Sequence, residues 1–273
     1  MSEITLLTIN IFKEALRWSR RRWLLVDQIA DLNPDIIALQ EVSLKGKTST
    51  AHWLARELND RKGSDDDLYN LYLCPRTGSK QKEEALAILS RLPVRRHEQL
   101  DLQTQNRVAQ LVNVRLDGEF LIIVNCHLYQ KPGPADERSK QVDLLLDWLD
   151  TQPAEVPVVV CGSFNCEPSS PTIDLMRQYF DSAHRAIHNQ EPAFTYPTPL
   201  LTSRELPLQR IVDFVFRNRE KATPVPQATV DYIFVDPRLH TQECRVVLNL
   251  PADSHPGLYP STHFGLMALI KVN

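Results

Sequence analysis

Six polar residues stand where apolar runs of this chain begin or end, and together their types suit one chemistry. Asn10 follows the run 6–9 and Glu41 follows 36–40. His127 follows 121–126, and Asn165 comes shortly after 158–161. Asp231 heads the run 232–235, and His263 precedes 264–272. Such runs read as buried strands, and sheet ends are where binding and catalytic side chains collect. Glu41 offers a hard oxygen to a single Mg²⁺ or Mn²⁺ ion, and Asn10 can add a carbonyl oxygen or position a metal-bound water. His127 and Asn165 are donors for non-bridging phosphate oxygens as charge builds in a transition state. His263 titrates near neutrality, so it suits a general base or a hydrogen bond to the scissile phosphate. Asp231 suits the orientation of a histidine or a ligand. Any one of these residues alone is ordinary at a strand end. The joint set predicts hydrolysis of a phosphate ester around one divalent cation.

Two arginines extend the list as substrate contacts. Arg107 opens a strand, and Arg138 lies in the first turn of the helix after the His127 loop. Either can meet a phosphate through a bidentate pair. A basic, aromatic stretch also follows Asn10: Arg17, Arg20, Arg21 and Arg22 with Trp18 and Trp23. It reads as one amphipathic helix with a solvated basic face, or as a rim for nucleic acid or a phospholipid head group.

The positioning elements follow from periodicity. Strands are predicted at 4–9, 35–42, 85–90, 107–116, 119–128, 157–161, 230–235, 245–250 and 264–272. Helices are predicted at 20–32, 49–59 and 136–149, the last with Asp136 as its cap and Val142, Leu145, Leu146 and Leu149 on its apolar face. Asn33-Pro34 ends the first helix, because proline disfavours a helical residue before it. Ser170-Pro171 opens a fourth. Asp117-Gly118 is a hairpin turn. Residues 63–67 read as an acidic surface loop, and 190–227 as a long loop with an inserted strand at 211–216. Helices alternate with strands, yet hairpins join some strands directly, which favours mixed sheets with helices outside.

Composition narrows the partners. The chain has 273 residues, 42% of them hydrophobic, enough for one large core. We expect a single domain over 1–273. A net charge of −3 argues against strong non-specific binding to duplex nucleic acid, while leaving room for a local basic cleft. The five cysteines lack disulfide or zinc spacing and read as buried thiols. No basic-then-apolar leader opens the chain, and no run reaches the ~18 apolar residues of a membrane span. The expectation is a cytoplasmic monomer without a transmembrane segment.

The motifs also resemble a family. Thr8-Ile9-Asn10, Gln40-Glu41-Val42, Asn125-Cys126-His127-Leu128, Gly162-Ser163-Phe164-Asn165, Asp231-Tyr232-Ile233-Phe234 and Ser261-Thr262-His263 occur in that order. The set is similar to the endonuclease/exonuclease/phosphatase superfamily, the fold of DNase I, and the likeness runs from Thr5 to about residue 269. Its members act on DNA, RNA, sphingomyelin and inositol phosphates. The resemblance implies an α/β four-layer α/β/β/α sandwich of two mixed sheets with helices outside. It also implies a Mg²⁺-type ion on Glu41 and an active site at one end. The expected substrate is a phosphate ester of a nucleic acid, a phospholipid head group or a sugar phosphate.

Two positions depart from the pattern. The family's Gly-Asp-x-Asn reads Gly162-Ser163-Phe164-Asn165, and its Ser-Asp-His reads Ser261-Thr262-His263. In the family the first aspartate helps to activate or orient the attacking water, and the second supports the histidine or the metal. Ser163 is no base near neutral pH, and Thr262 carries no charge. The resemblance therefore implies reduced or altered activity, with a catalytically inactive phosphate- or nucleic-acid-binding relative as the alternative. Asp213, Asp236 and the segment Asp253-Ser254-His255 are the chain's other candidates for a compensating acid.

Overall fold

The computed structural model of the chain describes residues 2–13, 15–45, 48–62, 67–78, 83–130, 136–202 and 226–272. Twelve strands and six helices are defined among them: β1 (Ser2–Asn10), α1 (Trp18–Leu32), β2 (Ile36–Ser43), α2 (Thr50–Asn59), β3 (Asn70–Pro75), β4 (Glu84–Ser90), β5 (Val94–Asp101), β6 (Val108–Leu116), β7 (Glu119–His127), α3 (Asp136–Asp150), β8 (Val158–Ser163), α4 (Pro171–Met176), β9 (Asp181–Ser182), α5 (Ala183–His188), α6 (Pro199–Thr202), β10 (Asp231–Val235), β11 (His240–Val247) and β12 (Gly265–Val272). They form two six-stranded sheets, ordered β11-β12-β1-β2-β4-β3 and β5-β6-β7-β8-β10-β9. Both sheets are mixed. β1 and β2 are parallel in the first and β7 and β8 in the second, while the other neighbours are antiparallel.

Period-two alternation explains the layering. On β1, Ile4 and Leu6 join the core between the sheets, while Leu7 and Ile9 face α1 and α2. On β7, Leu121 and Ile123 face inward, while Ile122, Val124 and Cys126 pack beneath α3 and α4. The result is the α/β/β/α sandwich. Leu25, Val26 and Ile29 of α1 and Leu54 and Leu58 of α2 cover the first sheet. Val142 and Leu145 of α3 and Ile173 of α4 cover the second.

Local signals place the element ends. α1 stops at Asn33, which takes the left-handed conformation (φ 47°) that closes a helix before a proline. Ser49 and Ser170 cap α2 and α4 by accepting from His52 N and Ile173 N. Asp117 and Gly118 both have positive φ (50° and 102°), as a two-residue hairpin requires. All five cysteines are buried and free. No helix among the described residues is long and apolar enough to cross a membrane.

Some elements differ from expectation. β5 alternates between half-buried and exposed and carries charged residues in both sets, so it lacks an apolar run to mark it. β3 is an edge strand and carries few buried residues. The strand expected at 245–250 runs instead at His240–Val247, because Leu248 turns to positive φ and ends the pairing with β12. The acidic loop (all but Asp67), the strand expected at 211–216 and Asp213 lie outside the described residues.

The inner faces change character along the strands. β1 presents Ile4 and Leu6, then Thr8 and Asn10. β7 presents Leu121 and Ile123, then Asn125 and His127. At the changeover Asn125 reaches across to the first sheet. It donates to Leu39 O at 3.0 Å and Ala87 O at 3.1 Å, and accepts from Gln40 Nε2 at 2.7 Å. Asn125→Ala would leave buried partners unsatisfied, at about 1–3 kcal/mol for each group lost. Urea denaturation should show a loss of about 3 kcal/mol or more, and a loss under about 1 kcal/mol would contradict this bridging role.

Candidate active site

The strand ends that turn polar meet at one mouth between the sheets. Asn10 ends β1, and its Nδ2 lies 3.4 Å from both Glu41 Oε1 and Ser163 Oγ. Its Oδ1 accepts from Phe12 N at 3.0 Å. An N–H donor can only meet the oxygen, so the amide nitrogen faces the site and steadies Glu41. Glu41 owes its aim to a β-bulge. The pairing of β2 with β4 shifts register between Leu39 and Val42, and Glu41 adopts φ 55° within that shift. Such a conformation is costly for a non-glycine residue and collects at functional positions.

The second sheet supplies the opposite wall. Asp231 accepts from Ser163 Oγ at 2.5 Å on one oxygen and meets His263 Nδ1 at 2.8 Å with the other. His263 is 4% exposed and Asp231 is 2% exposed, so this pair works in low dielectric. Asp231 thus supplies a carboxylate to His263. Thr262 itself is buried with Oγ1 unpartnered. Ser261 donates to Asn10 O at 2.5 Å, which ties the His263 loop to the end of β1.

His127 is fixed from behind. Arg107 Nη1 donates to its Nδ1 at 2.8 Å, so the ring proton of the neutral imidazole sits on Nε2. Nε2 is buried, unpartnered, and 4.0 Å from Glu41 Oε1. Burial first, and then the charges of Arg107, His263, Arg76 and Lys13, push its pKa well below the usual histidine value. His127 is therefore a neutral donor. Arg107 is itself buried, and desolvation lowers its pKa to about 10, still charged at neutral pH.

Glu84 was missed by sequence reasoning. It heads β4 and accepts from Arg107 at 3.2 Å and Arg76 at 3.1 Å, and it pairs with Lys13. Three cations around one carboxylate leave local positive charge beside His127, suited to an anionic substrate. The signal was present, since Glu84 precedes an apolar run on an antiparallel strand just as Asp231 does. Tyr196 was also missed. Its ring lies 4.6 Å from that of His263, tilted by 39°.

Other candidates fall elsewhere. Asn165, at φ 55°, donates to Leu128 O at 3.0 Å and so pins the turn after β8 to the turn after β7. Arg138 donates to Tyr129 O and lies over the Tyr129 ring, beside the turn after β7. Asp236, at the other end of β10, is paired with Arg238. Asp253-Ser254-His255 forms a turn in which Asp253 and Ser254 are exposed and Ala252 bridges His255. Neither of these acids replaces the missing carboxylates.

Among the described residues no group of three or more His, Cys, Asp or Glu side chains is placed to hold an ion. Glu41 is nonetheless a buried carboxylate whose one side-chain donor stands at 3.4 Å. Its free acceptor capacity fits Mg²⁺, which is bound by one or two carboxylates and keeps most of its waters.

A four-layer sandwich with such a mouth defines a class of protein with the DNase I-like fold. The chain belongs to the Endonuclease/Exonuclease/phosphatase family, whose model matches residues 7–263. It is 26% identical to Drosophila melanogaster Nocturnin over 93% of this chain and 42% of that protein. The chain thus spans less than half the length of that relative. In fold it resembles the human Nocturnin catalytic domain with bound sulfate anion (TM-score 0.74, 22% identity, covering 100% of this chain and 94% of that one). It also resembles D. rerio TDP2 complexed with single strand DNA product (TM-score 0.75, 18% identity, covering 100% of both chains).

Gly162 lets the two parallel strands of the second sheet come together at the mouth. It has φ 134°, and an added Cβ would fall 2.0 Å from Cys126 O. Ser163 stands opposite His127 in that pairing. Gly162→Ala is expected to cost about 3 kcal/mol or more. Thermal denaturation measures this, and an unchanged melting temperature would show that β8 can move aside freely.

Proposed function

We propose that the chain hydrolyses phosphodiesters of the nucleic-acid type with one divalent cation, at a rate lowered by Ser163 and Thr262. The observation that carries this reading is the His263–Asp231 pair facing Glu41 and the Nε2–H of His127 across one buried mouth. Asp231 holds Nδ1 of His263, which leaves Nε2 to accept a proton from water or to bind the phosphate. His127 Nε2–H is free to donate to a non-bridging oxygen, and Arg107 keeps that tautomer in place. The surplus charge around Glu84 favours a polyanion. When bound at Glu41, a Mg²⁺ or Mn²⁺ ion would supply positive charge to the phosphoryl oxygens. A sulfate in the Nocturnin domain and a single-stranded DNA product in TDP2 support a phosphate-ester substrate in this fold.

A second reading, phosphate binding without turnover, is favoured by one contact. The Ser163 hydroxyl donates to Asp231 and so draws on the carboxylate that His263 uses. A neutral hydroxyl cannot take a proton near pH 7, and loss of a general base typically lowers rates by about 10²–10⁴-fold.

Hydrolysis of bis(p-nitrophenyl) phosphate with Mn²⁺ separates the two readings. Slow turnover by the unaltered chain is expected, with a loss of about tenfold or more in Glu41→Ala. Retained activity in Glu41→Ala would refute metal assistance at this mouth. Ser163→Asp combined with Thr262→Asp is expected to raise turnover at least about tenfold. No gain in a folded variant that binds Mn²⁺ by calorimetry would refute the roles given to these positions. Turnover seen only in the double variant would establish the second reading.

A further inference from the structure

Three of the four tryptophans of the chain meet on the outside of the first sheet, and the proposed chemistry uses none of them. Trp53 of α2 packs edge to face with Trp18 at 6.0 Å and with Trp23 at 5.2 Å, both from α1. The Arg22 guanidinium lies over two of these rings, 4.8 Å from Trp53 and 5.2 Å from Trp23. Its Nε is buried without a hydrogen-bond partner. Among the described residues, Arg17, Arg20 and Arg22 have no acidic partner, in a chain of net charge −3. Trp23 remains 41% exposed. A cluster that served packing alone would need neither the unpaired cations nor the open ring.

The cluster is fastened to the catalytic loops. Arg21, whose guanidinium lies 4.7 Å from the Trp18 ring, donates to Ile11 O at 2.7 Å and Pro260 O at 3.0 Å. These carbonyls adjoin Asn10 and the Ser261-Thr262-His263 segment. α2 is anchored likewise, with Thr50 Oγ1 accepting from Ser43 N at 3.0 Å, two residues after Glu41.

We propose that Trp23, Trp53 and Arg22, with Arg17 and Arg20, form a platform that binds single-stranded nucleic acid beside the mouth. This rests on the reading that the mouth takes nucleic-acid phosphodiesters. An unstacked base lies on the open face of Trp23, backed by the Arg22 cation, and Arg17 and Arg20 meet the flanking phosphates. Every base has a π-face, so the platform selects single strands over duplex and is tolerant of sequence. An anionic membrane is the competing occupant. It is disfavoured because one open indole held against Trp53 and the Arg22 cation offers stacking area and little surface for insertion.

Binding of a fluorescent oligouridylate of about twelve nucleotides to the full chain, in EDTA, reads the platform without metal chemistry. Trp23→Ala is expected to weaken binding about tenfold, and Trp23→Phe to keep most of the affinity. Arg20→Ala should weaken binding and reduce the slope of log K against log salt by about 0.7. Wild-type affinity in both Trp23→Ala and Arg20→Ala, with native melting temperatures, overturns the proposal. So does Trp23-dependent binding to phosphatidylserine vesicles without binding to the oligonucleotide. Hydrolysis of bis(p-nitrophenyl) phosphate, too small to span mouth and platform, tests the catalytic reading separately. Loss of either result leaves the other standing.

Discussion

Five central strands run out of apolar side chains at the same end of the sandwich, and the site exists because they do. Between the sheets, Ile4, Leu6, Ile36, Ala38, Leu121, Ile123, Val159, Cys161, Ile233 and Val235 make a dry core. One or two steps further along the same inner faces come Asn10, Gln40, His127, Ser163 and Asp231. Polar groups buried this way must find partners, and they find them across the gap between the sheets. Asn125 closes the changeover with three bonds to the other sheet, so the sheets cannot slide without stranding it. That fixes Glu41 on one wall against His127 on the other. Burial and geometry are therefore one constraint: what prevents slippage also holds the reactive groups apart at working distance.

Much of this was legible in the sequence, and the reason is the same alternation. Asn10, Glu41, His127, Asp231 and His263 each border a strong apolar run, and a run buried on both faces is easy to read. Mixed sheets with helices outside followed from alternating helices, strands and hairpins, while the four layers came from the family resemblance. β5 was not legible, because charged residues on both of its faces give it no core-like run. Glu84 escaped because an acid at the head of a strand reads as solvated until the antiparallel pairing of β4 with β2 puts it at the mouth. The partner of His263 was hardest to assign from the chain alone. Asp231 lies 32 residues away and meets the ring at the end of β10, where antiparallel pairing with β8 sets it opposite Ser163.

Positive φ gathers at the mouth as well. Glu41 adopts a left-handed conformation at the mouth, Asn165 does so in the turn after β8, and Gly162 reaches a region closed to other residues. Strain of this kind persists only where surrounding structure over-determines it. The bulge at Glu41 sits beside the paired β2 and β4, and the turn at Asn165 is held by its bond to Leu128 O. The site draws Asn10, His127, Ser163 and Asp231 from strands and Glu41 from a bulge, with His263 on the segment before β12, which suits chemistry that depends on distances fixed in advance.

Ser163 and Thr262 are best understood through charge. A carboxylate at 163 would stand against Asp231, whose oxygen lies 2.5 Å from the present hydroxyl. Two carboxylates that close cannot both ionise cheaply without a cation between or beside them. A hydroxyl removes the repulsion and donates a hydrogen bond instead, so the resting fold gains stability where the chemistry loses a base. This is the usual opposition between stability and activity at a buried site. With no competing charge at 163 or 262, Asp231 keeps one oxygen on His263 Nδ1 while the other accepts from Ser163. The buried polar mouth and its cationic surroundings are present, while positions 163 and 262 carry no charge.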